Sequence, residues 1–427
     1  MMATTREKTK VFVASTIRHF FYLGCMQSFG VILNDTISQT RGSLPLVALS
    51  FSALNGLSSA AAPLVIHLMK VFSSRSIVLV GGFLVGVGFI CEAFLANNLW
   101  KLFISNIITG IGFGINNIPL YIALAETFQD SFGTAQSAVC FIGNFGMMLI
   151  PLLLEYWREK YGLTGSLVLF GALMWNQIVS GVLLESKEST EHRKEPIDEE
   201  AETSSIAPRP YPSASMEDSG GIYHAIIAHP TILFFYAAQY IHMFVMVSWG
   251  MFLLPYGVEK GYTQGEAILL TTIGGFGFSL GRGLVIFVFY LKWQSRLVLI
   301  ISPILLATVF FVLTVLTNDL ILLCFESGII GICLGYIISW MFSYGRDITC
   351  LHHFNSTSAW SMLSLGTGMI CSGPLSGSVY NIRGTYDDVF IFLTILAVVE
   401  AVTIIASISL NRRSPSCDYD DKLMSCS

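Results

Sequence analysis

The sequence predicts an all-α membrane protein with twelve transmembrane helices, and three observations lead to that prediction. Of the 427 residues, 53% are hydrophobic and only 12% are charged, which is about half the charged share of an ordinary soluble domain. Apolar runs of about 20 residues, the length that crosses a hydrocarbon core as a helix, recur along the whole chain. Six such runs precede a polar break and six follow it, so we expect two six-helix bundles in a lipid bilayer.

The predicted spans are numbered one to twelve in chain order. They are 9–33, 44–69, 77–97, 101–125, 134–156, 163–184, 226–255, 265–291, 296–316, 320–345, 355–380 and 388–410. The first residues, MMATTREKTK, are basic, and the apolar run after them is too long for the core of a signal peptide. We therefore predict an N-terminal bundle at 9–184, a C-terminal bundle at 226–410, and cytosolic tails at 1–8 and 411–427.

The break between the two bundles, at 185–225, has the composition of a disordered linker. It begins ESKESTEHRKEPIDEE and is rich in Glu, Ser and Pro. Such a segment contains too little apolar surface to fold on its own. We expect it to connect the bundles on the cytosolic side.

The distribution of Lys and Arg predicts the orientation, because these residues concentrate in cytosolic loops while acids contribute little. Most loop Lys and Arg residues fall on the side of the two termini. The opposite side holds only Arg41, Lys101, Arg158, Lys160, Lys260 and Arg383. Both termini are therefore predicted to be cytosolic.

An internal repeat favours two halves of parallel topology. The end of span two reads LVIHLMKVFSSRSIVLV, and the end of span eight reads LVIFVFYLKWQSRLVLI. Apolar segments match easily by chance, but a Lys and a Ser-Arg pair coincide in the corresponding loops when one gap is allowed. Two parallel six-helix repeats around a midplane cavity are the architecture of many secondary transporters.

Four segments resemble the monocarboxylate transporter family of the major facilitator superfamily. They are SSRSIVLVGGF (73–83), ITGIGFGINNIP (108–119), LTGSLVLFGALMWN (163–176) and GPLSGSVYNIRGTYDDVF (373–390). The resemblance covers both halves and implies a major facilitator fold. It also implies a secondary transporter that moves a small organic solute, a monocarboxylate or related organic anion, across the plasma membrane by alternating access.

Several residues of these segments have plain structural interpretations. Gly110 and Gly112 are small residues that let neighbouring helices approach closely, Asn116 is suited to an interhelical hydrogen bond, and Pro119 completes the motif of span four. Arg75 lies in a tight loop where it is placed to clamp helix ends. These residues identify the fold more than the solute.

The departures from the family bear on the mechanism. The family's span-one lysine aligns with Gln27, and its span-eight acid aligns with Phe278, whereas the arginine four residues later is retained as Arg282. In proton-coupled relatives the lysine and the acid are thought to carry the proton, and the arginine to hold the substrate carboxylate. The resemblance therefore implies substrate binding by Arg282, with Gln27 and Phe278 lining the cavity, and facilitated or weakly proton-coupled transport.

Arg282 is also a candidate on physical grounds. An ionisable group inside a span is expensive unless it is paired or faces a cavity, and a guanidinium can bind a carboxylate through two hydrogen bonds. The alternative is that Arg282 extends to the headgroups or pairs with a structural acid. Arg18 and His19 lie about two turns into span one, where we expect extension to the interface at least as readily as a functional role.

The buried acids and one histidine are the remaining candidates for a proton or charge partner. Glu326 is the first choice, because span ten lines the cavity in this fold, whereas Glu92 and Glu400 lie on spans that usually face lipid. His242 in span seven can titrate near neutral pH. A hydrogen bond between helices is the alternative role for His242.

Other function classes are disfavoured. Nine cysteines are scattered without paired spacing, so neither a disulfide framework nor a metal site is predicted. No HExxH motif is present, and we predict neither an enzyme nor a cofactor. The net charge of −5 argues against nucleic acid as a partner.

Two alternatives stay open at the level of sequence. A non-transporting sensor or ancillary membrane protein could keep the fold after losing the coupling residues. The family's basic run entering span five falls on Asp130, Ser131 and Phe132, which motivates that hypothesis. A single-span ancillary glycoprotein is a candidate partner for delivery to the surface.

Overall fold

A computed structural model of the chain describes residues 5–69, 71–95, 97–128, 132–184, 230–290, 296–348 and 354–411. The regular secondary structure of these ranges is entirely helical, which confirms the predicted all-α class. The predicted linker at 185–225 and the tail beyond Asn411 lie outside them.

The helices of the described residues follow the predicted spans closely. Spans one to four are Thr5–Thr40, Leu44–Ala60 with Ala62–Leu68, Ser74–Leu95 and Leu99–Phe128; spans five and six comprise Phe132–Gly143, Phe145–Met174, a 3₁₀ turn Trp175–Gln177 and Ile178–Leu183. Spans seven to twelve are Pro230–Glu259, Gln264–Tyr290, Arg296–Leu316, Leu320–Asp347, Phe354–Arg383 and Tyr386–Asn411. The first helix thus begins at Thr5, inside the predicted N-terminal tail.

The boundary between spans five and six depends on a glycine. The range Phe145–Met174 consists of two helices that meet at a kink, where Gly162 has φ 70° and ψ −178°. A residue with a Cβ is strained at such a positive φ, whereas glycine adopts it readily. Gly162 therefore reverses the chain, just before the predicted start of span six.

Eight segments of the described residues are long and apolar enough to cross a membrane, and one of them, Ala135–Leu183, contains both span five and span six. Spans one, two and eleven are not among these segments. These three spans pack between the two bundles, as the contacts below show. Span two is missing because its apolar helix Leu44–Ala60 has only 17 residues. Spans one and eleven are long but more polar, and helices that face protein on several sides need less apolar surface than helices that face lipid.

Two ends of the molecule can be defined from the topology. The terminal end holds Thr5 and Asn411, and the distal end holds the turns between spans one and two and between spans seven and eight. Two contacts join the bundles close to the molecular centre. A Cβ added to Gly30 of span one would lie 2.8 Å from the Met251 carbonyl oxygen of span seven, and one added to Gly275 of span eight would lie 3.1 Å from the Cβ of Met147.

Spans two and eleven form a further interface between the bundles, which we call the serine-glycine seam. Ser52 Oγ lies 3.3 Å from Ser372 Oγ and accepts a hydrogen bond of 3.0 Å from the Gly373 amide. Gly56 abuts Ile370 and the carbonyl of Gly366. Small and hydroxyl-bearing side chains therefore bring the two backbones close together.

Glycines also bring spans eight and ten together within the C-terminal bundle. Gly277 packs directly on the backbone of Gly328, and Gly335 packs on the backbone of Phe278. Small residues of this kind permit close helix packing without a hydrophobic driving force from water. The stretch of span eight that carries Arg282 is thereby held firmly against span ten.

Candidate functional site

A small cavity lies between the bundles near the centre of the molecule. Its volume is about 10 Å³, roughly the space for one water molecule. Span one contributes Gln27, span five Met147, and span seven Met246 and Gly250 to its lining. An organic solute needs more room than this cavity offers, so the bundles must move apart for a solute to occupy it.

Gln27 is the polar group of this cavity. Its side chain is buried, its Oε1 faces Gly250, and its Nε2 has no hydrogen-bond partner. A buried amide without a partner is unfavourable. The Nε2 group is therefore available to a solute that brings an acceptor.

Arg282 lies in the half of span eight that leads to the terminal end, and its guanidinium contacts both bundles. Its Cζ lies 5.1 Å from the centroid of the Phe278 ring, within the range of a cation–π interaction. Its Nη1 lies 3.4 Å from Nε2 of His19 on span one. Its Nε is buried without a partner. The guanidinium thus retains unused donor capacity at the boundary between the bundles.

Phe278 is fully buried and is not among the residues that line this small cavity. Its place along the wider solute pathway stays a prediction. The ring packs against Arg282. The residue that takes the place of the family's acid therefore supports the arginine through its ring.

Arg18 is the second arginine inside the membrane region. Its side chain is buried rather than extended to an interface, with 7% exposure. Its Cζ lies 4.6 Å from the centroid of the Tyr22 ring, and the Tyr22 hydroxyl lies 2.7 Å from Ser58 Oγ. The Nε of Arg18 has no partner. The sequence did not single out Arg18 and His19 as site residues. Two adjacent basic residues inside a predicted span are the pattern that could have indicated them.

Neither Arg18 nor Arg282 has an acidic partner among the residues that the structure describes. In the described part of the chain, no carboxylate oxygen lies within 4.0 Å of a side-chain nitrogen of Arg18 or Arg282. Glu326, expected to be the partner of Arg282, instead accepts a hydrogen bond of 2.8 Å from Thr317, close to the distal end of span ten. The backbone next to Arg282 contacts span ten at Ile332, which is about two helical turns beyond Glu326 toward the terminal end.

His242 is also paired elsewhere. Its Nδ1 lies 2.9 Å from Oε1 of Glu400 on span twelve, and both side chains are buried. The Nε2 of His242 has no hydrogen-bond partner. This contact joins two helices within the C-terminal bundle, so Glu400 is enclosed by protein rather than directed to lipid.

The motif residues of span four serve helix packing. A Cβ added to Gly110 would lie 2.7 Å from the carbonyl oxygen of Leu54 on span two. A Cβ added to Gly112 would lie 2.9 Å from the amide nitrogen of Val85 on span three. Span four therefore packs closely against spans two and three. Asn116 donates a hydrogen bond of 3.3 Å to Gln177 Oε1, and Pro119 is buried within the span-four helix. Arg75 is exposed at the start of span three.

A polar network joins the bundles at the distal end, and we call it the distal network. Glu155 accepts hydrogen bonds from Arg158 Nε, at 2.8 Å, and from Gln264 Nε2, at 3.1 Å. Arg158 also pairs with Asp35 at 3.1 Å, and Gln264 donates to the Val31 carbonyl at 2.8 Å. Because Gln264 belongs to the C-terminal bundle and its two acceptors to the N-terminal bundle, the network holds the distal end closed.

Comparisons with known proteins agree with this architecture. A sequence model described as Major Facilitator Superfamily matches residues 16–349. Monocarboxylate transporter 4 of Gallus gallus is 23% identical over 403 residues, covering 90% of this chain and 76% of that protein. Monocarboxylate transporter 1 of Bos taurus is 22% identical over 385 residues, covering 81% and 74% respectively. The solved structure of the nucleoside transporter NupG matches with a TM-score of 0.68 at 13% identity, over 94% of this chain and 99% of that one, a likeness of fold alone.

Proposed function

The chain belongs to the major facilitator superfamily, and from that premise we propose that it is a secondary transporter of a small organic anion, a monocarboxylate or a related solute. The observation that carries the proposal is the guanidinium of Arg282, which lies between the bundles without a carboxylate partner in the described residues. An unpaired cation within a membrane region is costly. A solute carboxylate would provide the missing charge and accept two hydrogen bonds from the guanidinium.

Alternating access follows from the same arrangement. Arg282 and Gln27 belong to different bundles, and the cavity beside Gln27 is too small for an organic solute in this conformation. We propose that the bundles rock about this centre, with the terminal end in the cytosol and the distal end outside the plasma membrane. The distal network then closes the outer side whenever the site is open to the cytosol.

Transport is proposed to be facilitated or only weakly coupled to protons. Gln27 and Phe278 replace the family's proton-carrying lysine and acid, and neither side chain titrates. The His242 and Glu400 pair lies between spans seven and twelve of one bundle. If transport is found to be coupled to protons, substitution of this buried pair is the first test of which residues carry the proton.

Uptake into proteoliposomes tests the function directly. The reconstituted chain is offered a labelled panel led by lactate and pyruvate, with an inward proton gradient imposed or absent. Uptake that equilibrates at the same level in both conditions supports a uniporter. Accumulation above equilibrium with the gradient would overturn the weak-coupling proposal, and no uptake of any panel member would favour the non-transporting sensor.

The distal network gives a separate prediction about the conformational equilibrium. Replacement Glu155→Ala removes the acceptor shared by Arg158 and Gln264 and is expected to favour the conformation open at the distal end. Only the Gln264 bond crosses between the bundles, and loss of one hydrogen bond to a charged acceptor corresponds to about 1.5–3 kcal/mol. We therefore expect a membrane-impermeant thiol reagent applied from the distal side to label Gln27→Cys roughly tenfold faster.

The control for this experiment is Glu159→Ala, which removes an exposed carboxylate one turn away. The labelling rate of the chain that retains Gln27 measures the background reaction of the native cysteines. Equal labelling rates for the Glu155 and Glu159 variants would contradict a closing role for the network.

A further inference from the structure

We propose that the preferred solutes carry two carboxylates, with Arg282 binding one and Arg18 the other. This inference rests on the proposed function and specifies the substrate class of the same site. Arg18 belongs to the N-terminal bundle and Arg282 to the C-terminal bundle. His19, which follows Arg18 in the chain, has its Nε2 3.4 Å from Nη1 of Arg282, so span one approaches the Arg282 guanidinium at the level of Arg18.

The charge balance of the interior supports this class of solute. None of the buried acids in the described spans forms an ion pair with Arg18 or Arg282. Glu400 contacts His242, Glu326 contacts Thr317, Glu155 contacts Arg158, and Glu92 on span three has no hydrogen-bond partner among the described residues. A solute with one carboxylate would neutralise one guanidinium and leave the other uncompensated. A solute with two carboxylates neutralises both, which favours it because unpaired charge is costly in a membrane.

Both guanidiniums are built to receive an anion. Each is supported on one face by an aromatic ring, Tyr22 for Arg18 and Phe278 for Arg282. Each also has a buried Nε without a partner. A guanidinium fixed in orientation loses less rotational freedom when it forms a two-point contact with a carboxylate. The matching supports therefore indicate two preformed subsites.

The location of the subsites on different bundles has a consequence for transport. A dicarboxylate bound to both arginines bridges the moving halves, whereas a monocarboxylate bound to Arg282 does not require Arg18. Binding energy from the second carboxylate is realised only when the bundles are close. A dicarboxylate should therefore stabilise the closed conformation more than a monocarboxylate does.

Competition between labelled lactate and unlabelled succinate, glutarate or propionate in proteoliposomes tests the inference. For the unaltered chain we expect succinate or glutarate to inhibit at concentrations at least tenfold below propionate. Arg18→Gln should weaken inhibition by the dicarboxylates about 30-fold, an estimate from removal of one buried charged contact, and change that by propionate less than threefold. Arg18→Lys keeps the charge and should retain part of the preference.

Binding measured by thermal unfolding in detergent provides a second readout that does not need transport. Succinate should raise the Tm of the unaltered chain more than propionate does, and Arg18→Gln should lose that difference. A purely structural Arg18 would instead lower the affinity for both solute classes equally, which would overturn the inference. Uptake of monocarboxylates without inhibition by dicarboxylates would refute this inference alone, whereas absence of any anion uptake or binding would refute the proposed function.

Discussion

Arg282→Gln is expected to abolish uptake of an anionic solute by a chain that still inserts and folds. The replacement is similar in length but removes the positive charge and the two-point donor geometry. Truncation of one partner of a buried charged contact costs about 2–5 kcal/mol, which corresponds to roughly a 30-fold or larger loss of affinity. Initial uptake rates in proteoliposomes, normalised to inserted protein, measure the effect.

Two controls make this result specific to the site. Arg75→Gln removes an exposed arginine at the start of span three and should leave uptake close to that of the unaltered chain. Arg282→Lys keeps the charge but loses the planar fork, so it should retain a small fraction of the rate. Unchanged uptake by a correctly inserted Arg282→Gln chain would refute the assignment of this residue to the site.

His242→Leu is expected to destabilise the C-terminal bundle strongly. The substitution leaves Glu400 with no partner for its Oε1 in a location where both side chains are buried. Removal of one partner of a buried hydrogen bond typically lowers the free energy of unfolding by about 1–3 kcal/mol, and by more when the group left behind is charged. Thermal unfolding in detergent should therefore show a clear decrease in Tm.

The double replacement of His242 and Glu400 by Leu identifies the cause of this decrease. Replacement of both members of a buried pair by apolar residues is often neutral or stabilising, so the double variant should recover most of the lost stability. If the double variant is as unstable as the sum of the two single variants, the pair is not an energetic unit. If uptake by the unaltered chain depends on the proton gradient, the same dependence in a stable double variant would exclude the pair from coupling.

The fold could be predicted from the sequence more fully than the site. Span length and polar breaks depend on local composition, and the predicted boundary between spans five and six agrees with the reversal at Gly162. Arg282 and Gln27 could be singled out because a charge or an amide inside an apolar run is conspicuous. What a side chain touches depends on the rotation of its helix and on which helix lies opposite, and an apolar run specifies neither.

Glu326 and Arg18 illustrate that limit in opposite ways. Glu326 was the first choice of proton or charge partner because span ten lines the cavity in this fold, but its carboxylate hydrogen-bonds to Thr317, at a different depth from Arg282. For Arg18, extension to an interface was expected at least as readily as a functional role. The ring of Tyr22, one turn farther along the same helix, supports it inside instead.

The serine-glycine seam bears on how evenly the two access conformations are populated. Separation of an interface usually exposes apolar surface to water, at about 25 cal/mol per Å². At this seam the separating groups include the hydroxyls of Ser52 and Ser372 and the backbone of Gly373, all of which water can solvate. Separation of spans two and eleven should consequently have a small heat-capacity change. A modest difference in solute affinity between the two access conformations should then be enough to change which of them is more populated.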